Sequence, residues 1–360
     1  MAHVPLHQTH VALGAKMCPF AGWDMPIEYP TGTMAEHHAV RNAVGIFDVS
    51  HMGKILVTGG GAAEYLNRVL ANDLHRISDG QAQYSLLCSD SGGVIDDLIV
   101  YRVSESEVRI VPNAANAAKV VTILQATAPA SVTVVDQQTE LGILAIQGPN
   151  SAKVLEAMGL PSALKYMSFI DTEFAGHTLS VCRTGYTGEH GYELIAPNDI
   201  LISLWNDAIE HGEGFGLLPC GLGARDTLRT EMGYPLHGQD ISLDISAVTA
   251  NLGWAIGWNK SELLGKTKLE AEKAQGSVRT LRGLRAVERG IPRAHMQVKR
   301  GDVIVGETTS GTFSPTLQQG IALALLDADI VEGEQLVIDV RGRSLQVEVV
   351  RPPFVPSHVK

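Results

Sequence analysis

Two adjacent carboxylates, Asp96 and Asp97, stand inside a run from Gly92 to Val100 that otherwise has the composition of a buried strand. Side chains alternate between the two faces of a strand, so the two acids point to opposite sides, each among aliphatic neighbours. Burying an ionised carboxylate is costly unless it is paired or hydrogen-bonded. The pair is therefore either a structural feature bonded to nearby backbone amides or a catalytic or ligand-binding acid, and these residues alone leave both hypotheses open.

The chain has 360 residues, enough for two or three domains. Hydrophobic residues make up 45% and charged residues 19%, which excludes a disordered protein. The net charge of −11 argues against nucleic acid as a partner, because binding phosphates needs a basic surface. No stretch reaches the roughly 20 apolar residues that span a bilayer, and the amino terminus lacks the features of a signal peptide. We therefore expect no membrane partner and a cytoplasmic location.

Metal chemistry is not expected from the sequence. The cysteines are widely scattered and form no C-x-x-C pair: Cys18, Cys88, Cys182 and Cys220. His3, His7 and His10 have a spacing that could hold a metal on a helix, but Pro5 lies between them and terminal segments are often loose.

Strands and helices alternate without a repeating βαβ unit, and hairpins are present, which predicts the α+β class. A charged segment from Ser261 to Lys273 predicts a helix. Short strands separated by turn residues follow it and predict a small all-β module, a barrel or a sandwich. We therefore expect two regions, residues 1–276 and residues 277–360.

Two glycine-rich segments carry further polar groups. Gly185 to Glu193 sets glycines among aromatic residues and acids ahead of a strand. In the segment Gly221 to Glu231, glycines open a helix on which Arg225 and Arg229 lie one turn apart, so both could bind an anion. Taken alone, each segment is more typical of a surface hairpin or a solvated salt-bridge network.

Together, the motifs of residues 7–356 resemble the aminomethyltransferase, or T-protein, family of the glycine cleavage system. They are Phe20-Ala-Gly-Trp23-Asp-Met25-Pro26, Phe47-Asp-Val-Ser-His51-Met52, Gly92-Gly-Val-Ile-Asp96-Asp97-Leu-Ile-Val, Ile146-Gln147-Gly148-Pro149, Gly185-Tyr-Thr-Gly-Glu189, Gly221-Leu-Gly-Ala-Arg225-Asp226 and Thr309-Ser310-Gly311-Thr312-Phe313-Ser314-Pro315-Thr316. The resemblance implies a multi-domain folate-binding fold of interleaved α+β domains with a carboxy-terminal β-barrel, arranged around a central channel.

The same resemblance implies a tetrahydrofolate-dependent reaction. The methylene carbon of an aminomethyl group, carried on the dihydrolipoyl arm of H-protein, passes to tetrahydrofolate and gives 5,10-methylenetetrahydrofolate, while ammonia leaves. Asp96 matches the catalytic acid of the family, so Asp97 is expected to face the packing side. The residues that the resemblance places around the folate are Glu193, Arg225, Tyr84, Tyr166, Tyr186, Met52 and Asn113.

Related folate proteins are alternatives. They are a demethylase of dimethylsulfoniopropionate, the folate module of dimethylglycine or sarcosine oxidases, and a non-catalytic folate-binding protein that assists iron–sulfur cluster maintenance. The oxidase module normally follows a flavin domain, for which we expect no room. The presence of Asp96, Glu193 and Arg225 in their motifs favours the enzyme over the non-catalytic protein.

One segment departs from the acidic balance of the chain. Between residues 279 and 300 the sequence has one acid, Glu288, and seven basic residues. These are Arg279, Arg282, Arg285, Arg289, Arg293, Lys299 and Arg300. Two hypotheses fit this composition equally: an ordinary solvated face of the all-β module, or a docking face for the acidic H-protein.

Overall fold

A computed structural model describes residues 1–340 and 342–360 of the chain. The strands in chain order are β1 (Ala2–His3), β2 (Lys16–Phe20), β3 (Trp23–Glu28), β4 (Val44–Asp48), β5 (Ile55–Gly59), β6 (Gln81–Cys88), β7 (Val94–Ser104), β8 (Glu107–Pro112), β9 (Val132–Asp136), β10 (Leu141–Gln147), β11 (Phe169–Phe174), β12 (His177–Cys182), β13 (Gly191–Pro197), β14 (Leu217–Pro219), β15 (Arg279–Ala286), β16 (Gln297–Arg300), β17 (Val303–Ser314), β18 (Gln319–Asp327), β19 (Gln335–Val340) and β20 (Arg343–Val350). The α-helices are α1 (His7–Ala12), α2 (Thr33–Asn42), α3 (Ala62–Val69), α4 (Ala117–Thr127), α5 (Ser151–Ala157), α6 (Leu201–Gly212), α7 (Leu222–Glu231) and α8 (Lys266–Gln275).

An antiparallel sheet in the order β6-β7-β8-β5-β9 carries the acid pair. Helices α3 and α4 cover one of its faces, where Leu66, Leu124 and Val100 belong to one buried apolar cluster. The spacing of apolar residues along α3 predicts this, since Leu66 and Val69 lie one turn apart on the face that packs against the sheet.

The alternation predicted along β7 is broken at its start by a β-bulge. Leu87 pairs with Asp96, whereas the next residue of β6, Cys88, pairs with Val94, so Ile95 is the extra residue. Ile95 therefore joins the helix-covered core, while Val94 lies in a different apolar cluster. A bulge changes which face each residue occupies, and the sequence pattern gives no sign of it.

A second sheet, in the order β11-β12-β13-β10-β4-β14, packs against helices α5 and α6. Trp205 of α6 is almost fully buried in its core. Beside it, β1, β3 and β2 form a small amino-terminal sheet. His10 on α1 is fully buried and its Nε2 lies 2.9 Å from an oxygen of Asp48, which ties the amino-terminal segment to the end of β4.

The carboxy-terminal strands close into a barrel in the order β15-β18-β17-β16-β19-β20. This settles the choice between barrel and sandwich. In β16, Val298 is the one apolar residue, so only one side chain of the sequence pattern marks its buried face. The helix predicted over Ser261 to Lys273 begins later, at Lys266, because Gly265 adopts a positive φ of 76° just before it.

The predicted boundary at residue 276 falls between α8 and β15, and the division into two regions stays a prediction. Across this boundary, buried carboxylates on the α7 side accept hydrogen bonds from the barrel. Glu231 accepts bonds from the Ser314 hydroxyl at 2.5 Å and from the Thr316 hydroxyl at 3.0 Å. Asp240 accepts bonds from the hydroxyls of Thr309 and Ser310 at 2.5 and 2.8 Å.

Arginines complete this polar seam. Arg41 of α2 donates to Glu231 at 2.7 Å, and Arg229 of α7 donates to Asp240 at 2.8 Å. Burial alone would raise the pKa of Glu231, but hydrogen bonding by His37 and the other polar contacts lower it to about 2. The seam therefore holds an ionised carboxylate in the interior by pairing it.

Among the residues that the structure describes, helices are too short and too polar to cross a membrane.

We expect Glu231→Gln to lower the free energy of unfolding by about 3 kcal/mol, because the change leaves buried donors of the seam without their charged acceptor. Since the pKa of Glu231 is lowered from 4.5, the loss should be complete above pH 4.5 and shrink as the pH falls towards 2. Urea denaturation at several pH values measures it. Glu210→Gln, at an exposed position on α6, is the matched control, and equal stability of the two variants would contradict the role of the seam.

Candidate functional site

The side chains of Asp96 and Asp97 on β7 lie on opposite faces of the sheet, as alternation predicts, but each lies on the face that was expected for the other. Asp96 is paired with Leu87, which belongs to the core under α3 and α4. Asp97 is paired with Leu86, which packs with Tyr84 on the other face. Directly paired residues share a face of a sheet. The expectation that Asp96 faces the ligand and Asp97 the packing side is therefore wrong: Asp96 faces the helix-covered core.

Asp96 is fully buried and its oxygens are occupied by hydrogen bonds. The backbone N–H of Asn113 donates to it at 2.9 Å, the Asn113 side-chain amide at 2.9 Å and the Asn116 side-chain amide at 2.7 Å. These bonds fasten β7 to the segment that leads into α4. Asn113 bridges the two acids, because its amide also donates to an Asp97 oxygen at 2.8 Å, and its predicted place beside the folate stays a prediction.

Asp97 lies at the end of a chain of contacts that reaches the surface. The Tyr84 hydroxyl donates to its second oxygen at 3.1 Å. The ring of Tyr84 stacks on Trp254 with centroids 5.3 Å apart, and Trp254 is 62% exposed. An aromatic wall thus leads from solvent down to a carboxylate.

Burial raises the pKa of both acids, and the charge of Asp97 raises that of Asp96 further. The amides of Asn113 and Asn116 oppose the shift at Asp96, while the Tyr84 hydroxyl and the charge of His237 oppose it at Asp97. Two adjacent buried carboxylates that cannot both ionise easily behave as one titrating unit. Burial therefore favours the protonated form of these carboxyl groups up to a higher pH than in an exposed aspartate.

A second group of predicted residues comes from the two glycine-rich segments. The guanidinium of Arg225 lies 4.8 Å from the ring centroid of Tyr186, a cation–π arrangement. Its Nη1 is buried and has no hydrogen-bond partner among residues 1–340 and 342–360. Glu193 accepts a bond from the Thr184 hydroxyl at 2.6 Å, and its charge acts on Arg225. An unsatisfied buried donor beside an acid indicates a place for a polar ligand.

The two groups are close enough for their charges to act on each other. The charge of Asp97 contributes to the raised pKa of Tyr186, and that of Tyr186 contributes to the raised pKa of Tyr84, although burial is the largest cause in both. The guanidinium of Arg183 lies 5.9 Å from the ring centroid of Tyr166, and burial raises the pKa of the Tyr166 hydroxyl. The candidate site therefore comprises a carboxylate floor, aromatic walls and an Arg225–Glu193 side.

Comparisons with known proteins decide the family. The model described as the GCVT N-terminal domain matches residues 6–260, and that of the glycine cleavage T-protein C-terminal barrel domain matches residues 279–356. The chain belongs to the glycine cleavage T-protein family. An aminomethyltransferase of Parafrankia sp. (strain EAN1pec) is 57% identical over 355 residues, which cover 98% of this chain and 97% of the relative. An aminomethyltransferase of Mycobacterium tuberculosis (strain CDC 1551 / Oshkosh) is 54% identical over 357 residues, 99% of this chain and 97% of the relative.

A crystal structure agrees with these sequence relatives. The glycine cleavage system aminomethyltransferase T from Bartonella henselae superposes with a TM-score of 0.94 at 33% identity, covering 99% of both chains. The predicted family, the α+β fold with its carboxy-terminal barrel and the class of enzyme, an aminomethyltransferase of the glycine cleavage system, are confirmed. The arrangement around a central channel stays a prediction.

Three residues near the candidate site were not named as site residues by the sequence analysis: Trp254, His237 and His51. Trp254 and His237 lie in a loop-rich segment without periodicity, so only the fold brings them towards Asp97. His51 is 2% exposed, its Nδ1 has no hydrogen-bond partner within the described part of the chain, and burial and the charge of Arg225 lower its pKa to about 3. Its neighbour Met52, which was predicted, is partly buried and packs against an apolar cluster, and its place beside the folate stays a prediction.

The basic segment is largely neutralised by the barrel itself. Salt bridges join Arg279 to Asp327, Arg285 to Glu348, Lys299 to Asp339, and Arg300 to Asp329 and Glu334. Arg289 and Arg293 are exposed, and neither has a carboxylate oxygen within 4.0 Å among the residues described. Arg282, which is half-buried, also forms no salt bridge among the residues described, so the segment's exposed positive charge without a carboxylate partner is that of Arg289 and Arg293.

We expect Tyr84→Phe to raise the pKa of Asp97, because the hydroxyl that favours its ionised form is lost. Carbon-13 NMR of labelled aspartate carboxyl groups should show the titration of the pair moving to higher pH. Tyr65→Phe is the control, since the Tyr65 hydroxyl bonds to the Leu124 carbonyl in the core of the same sheet. A titration left unchanged by Tyr84→Phe would contradict the hydrogen bond.

Proposed function

We propose that this chain moves the methylene carbon of an aminomethyl group, carried on the dihydrolipoyl arm of H-protein, to tetrahydrofolate. The products are 5,10-methylenetetrahydrofolate, ammonia and the free dihydrolipoyl thiol. Asp97, at the base of the aromatic wall and within reach of the Arg225–Glu193 side, is the observation that carries this proposal.

The side chains suit a flat, polar co-substrate. Glu193 can accept paired hydrogen bonds from the amino and ring N–H groups of a pterin, which are donors on one edge. Arg225 offers its unpartnered Nη1 to a carbonyl or carboxylate. Tyr84, Tyr186 and Trp254 supply ring faces for stacking. Tyr166 and Met52 remain proposed members of this wall. No part of this proposal requires a metal.

The reaction needs charge stabilisation more than a strong base. When ammonia leaves the aminomethyl carbon, that carbon becomes an electron-poor cation, and the folate nitrogens then form two new bonds to it while the bond to sulfur breaks. The two hydrogens released from the folate nitrogens balance those taken up by the ammonia and the thiol. A desolvated carboxylate aimed at this carbon offsets the developing positive charge and fixes the geometry of attack.

The two acids therefore have different roles. In this proposal Asp97 faces the reacting carbon, and the role first expected of Asp96 passes to it. Asp96 holds the segment of Asn113 and Asn116 in place, and burial together with the charge of Asp97 raises its own pKa.

We expect Asp97→Asn to lower kcat about 100-fold or more while tetrahydrofolate binding changes little, because the neutral amide keeps the shape but not the charge. Asp96→Asn should mainly reduce stability, by about 1–3 kcal/mol, since one amide donor then faces another. Ammonia release from aminomethylated H-protein, with and without tetrahydrofolate, measures turnover, and calorimetry measures folate binding.

Asp136→Asn, an exposed carboxylate in the same sheet, is the control and should behave as wild type. A stable Asp96→Asn variant without activity beside an active Asp97→Asn variant would return the acid role to Asp96. Full activity of both would remove the pair from the mechanism.

H-protein is the proposed partner, and Arg289 and Arg293 are its proposed docking face. Reversing both charges to Glu should slow H-protein-dependent turnover at low salt, chiefly through KM, and the effect should fade as salt screens the surfaces. Reversal of Lys119 and Lys153, exposed on helices α4 and α5, is the matched control. Equal rates for the two double variants would favour an ordinary solvated face.

A further inference from the structure

We propose that His3, His7 and Asp24 form a binding site for one divalent late transition-metal ion, of which Zn²⁺ is the best match. The donor atoms of these three side chains all lie within 4.8 Å of one another. The site is separate from the residues of the folate site and does not rest on the proposed function.

The backbone brings the three residues together from three elements. In the parallel pair of β1 and β3, His3 is the register partner of Asp24, so their side chains are neighbours on the small sheet. The chain then turns, with the His7 N–H donating to the Val4 carbonyl at 3.0 Å, and α1 begins at His7. The rings of His3 and His7 stack with centroids 3.8 Å apart and planes 5° from parallel.

A turn, rather than a helix, therefore provides the histidine spacing. The sequence analysis discounted these histidines because Pro5 interrupts a helix. In the structure Pro5 lies in the turn that folds His7 back over His3. His10, the third histidine of that spacing, is already bonded to Asp48 and is replaced as a ligand by Asp24.

The segment that carries the ligands is held in place. Val4 is 3% exposed and Leu6 is fully buried, so the turn between β1 and α1 is anchored on both sides of Pro5. The His10–Asp48 contact fixes the far side of α1. The chain around the ligands is thus already ordered. Ion binding would therefore lose little conformational entropy, which is the usual cost of a site built on a terminal segment.

The ligand chemistry matches zinc. Two imidazole nitrogens and a carboxylate oxygen form a common three-ligand zinc set, with water as the fourth ligand. His7 Nε2 lies 2.8 Å from a carboxylate oxygen of Asp24, and binding one ion would require the stacked rings of His3 and His7 to turn so that their nitrogens converge. His3 is exposed, and the side chains of His7 and Asp24 are 12% and 20% exposed, so an ion can reach the site from solvent.

The test uses the full-length chain without an affinity tag and titrates Zn²⁺ against a chromophoric chelator. We expect one ion per chain, an affinity at least tenfold weaker in His7→Ala and in Asp24→Asn, and weaker binding as the pH falls, because imidazole ligands must be unprotonated. At a free zinc concentration of about 100 times Kd, Tm should rise by roughly 3 °C.

His75→Ala is the matched control, because His75 is another exposed histidine with two acids, Glu64 at 3.1 Å and Asp73 at 3.5 Å. Circular dichroism shows whether each variant is folded. If the variants at the more buried His7 and Asp24 misfold, His3→Ala still tests the site, because it changes an exposed side chain. X-ray absorption should find two imidazoles at the ion. Wild-type affinity in folded His3→Ala and His7→Ala, or an equal loss in His75→Ala, would overturn the proposal.

Discussion

The position of helix α7 is the constraint on which the rest of the structure depends. Arg225 near its start reaches the candidate folate site, whereas Arg229 and Glu231 at its end are bound into the seam with the barrel. A single stiff helix of ten residues therefore transmits the placement of the barrel directly to the site. The family motif from Thr309 to Thr316 helps to hold the barrel in place, because its hydroxyl groups donate hydrogen bonds to Asp240 and Glu231.

The acid pair shows how the protein tolerates two carboxylates inside a sheet. The side-chain amide of Asn113 donates to both acids, and each acid has a further neighbour of its own: Asn116 for Asp96 and Tyr84 for Asp97. The amide-rich side keeps one acid structural. On the aromatic side, the other acid contacts Tyr84, whose ring stacks on the exposed Trp254, so the two acids lie in different environments.

Much of this could be predicted from sequence, and the failures have physical reasons. Motif order identified the family, and alternation correctly placed Asp96 and Asp97 on opposite faces. Alternation cannot say which face the helices cover, since that depends on how α3 and α4 cross over the sheet, and the bulge at Ile95 obscures the local pattern further. Trp254 and His237 come from segments without periodicity, and the pairing of the barrel arginines depends on cross-strand register.

The exposed position of Trp254 has a practical consequence for studying the molecule. Its indole is open to solvent on one side and stacked on Tyr84 on the other, whereas Trp205 lies in a sealed core. Light emitted by these two residues should differ in wavelength and in sensitivity to dissolved quenchers. Once the other two tryptophans, Trp23 and Trp258, are replaced by phenylalanine, the protein would carry an optical reporter beside its candidate site and an internal reference in its core.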